Sequence, residues 1–197
     1  GNDAVDAGEG DDRIIGGSGL GDDTYIGGEG RDEVIYTSAI DSITVNLAEG
    51  WASGVDIGRD TLETIEDVVA GRGADLVVGS GADNRIRGYS GDDTILGGSG
   101  TDTAVYLGLK TDFVIQRHDG YWIVEDSRAT ELNEGRDRLT SIEQLQFLDQ
   151  VVNLEENRTL EGDLTFVGAL IQGNTLVVEN SLSDPDGFSS QQYQWYR

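Results

Sequence analysis

The chain has no cysteine, no methionine, one proline (Pro185), one lysine (Lys110) and one histidine (His118) in 197 residues. Without cysteine no disulfide can hold the fold, and zinc and the softer metals lack their thiolate and paired-imidazole ligands. His118 itself lies in the polar turn Arg117-His118-Asp119-Gly120 and reads as a solvated hairpin residue. Positive charge is scarce, 13 basic residues against 38 acidic ones for a formal charge of −25, with no Lys/Arg cluster. That balance argues against binding nucleic acid or an anionic membrane surface. No apolar run reaches about 18 residues, so no membrane insertion through a helix is expected. Hydrophobic residues make up 37%, few for a conventional core but enough for a solenoid whose strands each hide one residue. No H-E-x-x-H, no G-x-S-x-G and no cysteine nucleophile occurs, and no catalytic activity is expected.

Glycine is what the chain has in quantity, 29 residues, and most of it is periodic. Gly27 to Ile35 (GGEGRDEVI) fits G-G-x-G-x-D-x-U-x, with U a large aliphatic residue, a pattern recognised as a calcium-binding β-helix signature. Gly1 to Asp6 fits the last six positions of a copy, which suggests a piece of a longer chain; Ala7 to Ile15 and Gly16 to Ile26 follow, the latter with two extra residues around Gly19-Leu20. A second tract runs Ala70 to Val78, Gly79 to Arg87, Gly88 to Leu96 and Gly97 to Val105. Eight copies with Asp or Asn at the sixth position rule out a featureless glycine linker.

The first half of each unit must turn sharply, which glycine permits, and the second half is a short strand. Side chains alternate along a strand, so the eighth residue (Val5, Ile14, Tyr25, Val34, Val77, Ile86, Ile95, Ala104) points inward while positions seven and nine face solvent. One apolar residue per nine cannot make a core alone. Two units per coil, stacked as a flattened right-handed spiral, collect these residues into an apolar column between two parallel sheets. Units n and n+2 then lie one strand spacing apart, about 4.8 Å, and their sixth-position carboxylates repel unless a cation intervenes. Calcium takes six to eight hard oxygens at roughly 2.3–2.6 Å, whereas magnesium keeps a tight, hydrated octahedron. The expected pairs are Asp3 with Asp23, Asp12 with Asp32, Asp75 with Asp93 and Asn84 with Asp102. Turn carbonyls at Gly8, Gly10, Gly28, Gly30, Gly71, Gly73, Gly98 and Gly100 would complete about four or more Ca2+ sites.

The period breaks at residues 36–69, but Thr61 to Val69 keeps the register as a degenerate copy, with Glu66 at the ligand position opposite Asn84 and Val68 inward. The spiral is expected to be continuous or nearly so. After Val105 ordinary strand signals begin: Phe113 to Arg117 and Tyr121 to Glu125 flank a hairpin loop, and Leu139, Ile142, Leu145 and Phe147 read as a cap over the open end of the column. Residues 155–197 read as a linker followed by the start of a truncated Ig-like β-sandwich, with strands at Leu164 to Val167 and Thr175 to Val178. The expected fold class is all-β: a parallel β-roll over 1–105, a β-rich cap over 106–154 and the incomplete sandwich over 155–197.

Residues 1 to 105 resemble the RTX, or hemolysin-type calcium-binding, repeats of proteins exported by Gram-negative bacteria through type I secretion. The resemblance departs from the pattern at Asn84, at Gly19-Leu20 and at Ala104. Residues 112 to 154 resemble the segment that often follows such repeats, and the tail, with Asn180 to Gly187 and Tyr193-Gln194-Trp195, is similar to Ig-like repeats of long bacterial adhesins. The resemblance implies a roll unfolded at low cytoplasmic calcium and folded outside the cell, as part of a large secreted or cell-surface protein. Surface polysaccharide, or self-association through that parent protein, would be its further partners. The alternative is an accessory roll of a secreted protease, lipase, epimerase or peroxidase whose catalytic domain lies elsewhere. Asp184-Pro185, a bond that some relatives cleave, sits here in an Asp-Pro-Asp-Gly turn.

Overall fold

The computed structural model describes residues 1–17, 19–130 and 133–154, and the strands Leu164–Val167 and Val177–Asn180. Two compact units are present, Gly1–Leu154 and Glu155–Arg197. Among the described residues there is no α-helix, and none long and apolar enough to cross a membrane.

In the first unit each nonapeptide contributes one short strand, and successive strands alternate between two sheets. Strands β1 (Ala4–Glu9), β3 (Thr24–Glu29) and β7 (Gly58–Glu63) run parallel in one sheet; β2 (Arg13–Ile15), β4 (Glu33–Ile35) and β8 (Asp67–Val69) run parallel in the other. The second tract repeats this with β9 (Leu76–Val78) and β11 (Thr94–Leu96) in the first sheet and β10 (Arg85–Arg87) and β12 (Thr103–Val105) in the second. Register follows the repeat: Val5 lies beside Tyr25, Ile14 beside Val34, Val77 beside Ile95 and Ile86 beside Ala104. The chain therefore forms a parallel β-roll.

The inward column is built as the eighth positions dictate. Ile14, Tyr25, Val34, Val68, Val77, Ile86, Ile95 and Ala104 are all buried, the last at the cost of a smaller side chain. Val5 differs, at 40% exposed, on the edge strand β1. Positions seven and nine are not uniformly solvated either, since Ile35 and Val69 are buried at position nine.

The two sheets are not equally long. Residues 36–69 hold a complete coil, β7 and β8, preceded by a hairpin of β5 (Ile43–Asn46) and β6 (Trp51–Gly54). The hairpin joins only the first sheet, antiparallel to β7, and its outer strand carries β9 in parallel register, Val45 beside Val77. In the second sheet β8 meets β10 directly. The spiral is thus continuous on one face and spaced by two strands on the other.

The nine-residue period stops after Val105, yet the coil resumes. Hairpin strands β13 (Phe113–His118) and β14 (Tyr121–Asp126) lead into β15 (Arg136–Thr140), parallel to β11, and β16 (Gln144–Gln146), parallel to β12. Leu139 and Leu145 therefore extend the column, and Tyr106, Phe113 and Phe147, with ring centroids 5.0–5.7 Å apart, close it. Strand β17 (Val151–Asn153) pairs antiparallel with β16.

In the second unit the strands Leu164–Val167 and Val177–Asn180 form an antiparallel pair, the latter starting two residues beyond the expected Thr175. The Glu155 to Arg158 linker, the Asp184-Pro185 turn and the Tyr193 to Tyr196 run lie outside the described residues.

Candidate metal centres

The strand pairing stacks the turns, and the turns bring the sixth-position side chains together. The Asp3 N–H donates to Oδ1 of Asp23 (2.8 Å), Asp12 N–H to Oδ1 of Asp32 (2.9 Å), Asp75 N–H to Oδ1 of Asp93 (2.8 Å) and Asn84 N–H to Oδ1 of Asp102 (2.8 Å). Each carboxylate thus reaches back to the amide of the coil before it. The fifth position reaches the other way: Oδ1 of Asp11, Asp22, Asp83 and Asp92 accepts from the N–H of Arg31, Arg59, Thr101 and Arg136 in the coil that follows. Stacked turns are clamped from both sides, each contact being a hydrogen bond to a charged group, worth about 1.5–3 kcal/mol where it is shielded from water.

In each of these pairs one oxygen of the later carboxylate is spent on this clamp, and the fate of the sixth-position Oδ2 atoms separates the turns. Oδ2 of Asp12, Asp32, Asp93 and Asp102 is buried with no hydrogen-bond partner. A buried, unsatisfied carboxylate oxygen is costly, several kcal/mol for an isolated ion, so these four oxygens call for a cation. The space beside them is glycine-made. A side chain at Gly27 would begin 2.5 Å from Asp32 Oδ2 and strike the Thr64 carbonyl; one at Gly97 would begin 2.5 Å from Asp102 Oδ2 and strike the Ser141 carbonyl. Carboxylate and carbonyl oxygens converge where a Cβ is missing, and hard oxygens in a loose shell are the donor set that suits calcium. Among the described residues no three His, Cys, Asp or Glu side chains converge as a cluster, so a centre here would have to draw on turn carbonyls as well as carboxylates.

Electrostatics mark Asp93 and Asp102 again, and Asp75 with them. Burial pushes the carboxyl of Asp75 up to about 6, that of Asp93 to about 7 and that of Asp102 to about 6. A bound divalent cation would reverse that shift by favouring the charged form.

The remaining expected ligands are placed differently. Asp3 is exposed, and Oδ2 of its partner Asp23 accepts from the Tyr25 hydroxyl at 3.0 Å. Asp75 accepts from Ile43 N–H on one oxygen and from Gly71 N–H on the other. The Asn84 amide accepts from Ser80 N–H and donates to the Glu66 carbonyl (2.6 Å), so the contact expected between Glu66 and Asn84 runs through the Glu66 backbone; the Glu66 carboxylate faces the other way and accepts from Asp32 N–H. Gly8, Gly10, Gly28, Gly30, Gly98 and Gly100 have φ between +99° and +133°, a region that only glycine enters cheaply. Gly71 and Gly73 are absent from that set; Gly73 is required instead because a Cβ would collide with the Asp41-Ser42 backbone.

Sequence reasoning missed Asp60, Asp137 and Glu143. Asp60 Oδ1 accepts from Asp23 N–H, Asp137 Oδ1 from Asp93 N–H and Glu143 Oε2 from Asp102 N–H, extending each ladder by one coil. The readable signal was the remnant Gly-Arg-Asp-x-Leu at Gly58 and Gly135, the last half of a unit without its first.

A family model for the RTX calcium-binding nonapeptide repeat matches the chain in four copies over residues 1–34 and 69–104. No match is found among curated proteins.

Proposed function

From the premise that its two tracts are RTX calcium-binding repeats, we propose that this chain is a structural module of a large extracellular or cell-surface bacterial protein, adhesin-like, which folds on calcium once secreted. The observation that carries the reading is the set of four buried, unpartnered carboxylate oxygens on Asp12, Asp32, Asp93 and Asp102. Calcium supplies the positive charge that lets stacked turns close. Asp12 with Asp32, and Asp102 with the turn of Asn84, would hold it along one edge of the roll, and Asp93 with Asp75 along the other. The residues themselves do the rest: glycines leave room, backbone amides orient the carboxylates, and the inward aliphatics exclude water from the column.

The energetic logic supports secretion as an unfolded chain. At −25 the chain repels itself where calcium is scarce. Each site at a hundred times its Kd adds about 2.7 kcal/mol of stability, so several sites together outweigh the marginal stability of a thin core. Far-UV circular dichroism during a calcium titration, with magnesium as control, tests this. A cooperative, calcium-specific gain of β-signal is expected. An unchanged spectrum already folded in chelator would reduce calcium to an optional ligand.

A further inference from the structure

The segments that end the two tracts are copies of one another. Tyr36 follows the last residue of the first tract and Tyr106 the last of the second; each is followed by an antiparallel hairpin and then by a coil, Gly58-Arg59-Asp60-Thr61-Leu62-Glu63-Thr64-Ile65-Glu66 in one case and Gly135-Arg136-Asp137-Arg138-Leu139-Thr140-Ser141-Ile142-Glu143 in the other. The correspondence is geometric as well. Thr64 and Ser141 share φ of 50° and 52°, Ile65 and Ile142 are buried, and Glu66 and Glu143 accept the N–H of Asp32 and Asp102.

The two coils differ from the tract turns of Asp32, Asp93 and Asp102 in one respect. Asp60 and Asp137 are 2% and 1% exposed and hold the sixth position, accepting on Oδ1 from the coil before as the tract aspartates do. Their Oδ2 atoms are not orphaned: the Tyr36 hydroxyl donates to Asp60 Oδ2 at 2.9 Å, and the Tyr106 hydroxyl to Asp137 Oδ2 at 2.9 Å. Both tyrosines occupy the first position of the turn. In the tracts that position is glycine at Gly27, Gly88 and Gly97, whose missing Cβ lies against the orphaned oxygen of Asp32, Asp93 and Asp102.

We infer that a tyrosine at the first position changes the chemistry of its turn: at Asp32, Asp93 and Asp102 first-position glycine leaves a cation site, whereas at Asp60 and Asp137 tyrosine fills the space and puts a phenol hydroxyl where the cation would sit. Tyr36–Asp60 and Tyr106–Asp137 are then metal-free latches that close each tract without calcium. The inference rests on the calcium reading of the tracts.

Counting bound ions on the folded, full-length chain by native mass spectrometry in calcium tests it, together with thermal melts in saturating calcium. Asp60→Asn, Asp137→Asn and Tyr36→Phe are expected to hold the wild-type number of ions, with the melting temperature in saturating calcium lowered. Tyr36→Phe keeps the ring and serves if the aspartate variants do not fold. Any of the three holding fewer ions than wild type overturns the assignment, since the latch carboxylate would then be a ligand. A wild-type chain that binds no calcium would overturn the calcium reading itself, a distinct result.

Discussion

At each stacked turn one carboxylate oxygen is committed to a neighbouring amide, and the second is left for something else. Asp102 shows what this predicts. Asp102→Asn keeps an oxygen for the Asn84 N–H but removes the charge beside the Ser141 carbonyl. Calcium titration calorimetry should show a site lost or weakened at least tenfold, while the residual β-signal in chelator stays level or rises, because an unpaired buried charge has gone. Acidity should act in the same direction. Asp75, Asp93 and Asp102 have folded-state values raised to about 6, 7 and 6. A raised carboxyl binds its proton more tightly folded than unfolded, so the metal-free fold is favoured below the unfolded value near 4 and loses that advantage as pH climbs through 6 to 7. The residual β-signal in chelator should therefore be larger at pH 5 than at pH 7.5. In excess calcium the order should invert, since the cation competes with those protons.

Among elements, the nonapeptide strands were the most legible, because each unit carries its own turn and its own inward residue within nine positions. The ladder pairs followed from the same spacing. The latch coils were not legible, because their partners lie far apart in sequence: Tyr36 meets Asp60 across a hairpin, and Tyr106 meets Asp137 across a longer one. Thr64 and Ser141 also hid the turns, since each does with a strained three-residue bend what the tracts do with six residues and several glycines. What the sequence did show there was the apolar set Leu139, Ile142, Leu145 and Phe147, read as a lid; Leu139 and Leu145 proved to be one more coil. Leu145 is fully buried between Ala104 and Val152. Leu145→Ala should cost about 2–5 kcal/mol in denaturant unfolding with calcium present, toward the high end because neighbouring Ala104 is too small to close the gap.

Over the whole molecule, charge and metal act together. The first unit depends on a thin column and on acidic turns stacked one strand spacing apart, so its chelated form should respond to simple screening. The residual β-signal in chelator should rise with sodium chloride between about 0.01 and 0.5 M as the Debye length contracts from about 30 Å to a few ångströms. Magnesium should do no more than its ionic strength dictates, whereas calcium should act at far lower concentration. Equal effects of the two cations would show that screening alone folds the roll.

The unequal sheets have a mechanical consequence. Between β7 and β9 the first sheet takes three strand steps, while between β8 and β10 the second takes one. The two extra steps amount to roughly 10 Å, so one face of the roll is longer than the other at that joint. Under tension along the stack the short face is the taut chord and the hairpin face is slack. Load would fall first on the β8–β10 seam, where Val68 and Val69 pair with Ile86 and Arg87 and the Asn84 amide ties to Glu66. The first rip in a pulling experiment should therefore open there, between the two tracts, and leave each tract wound.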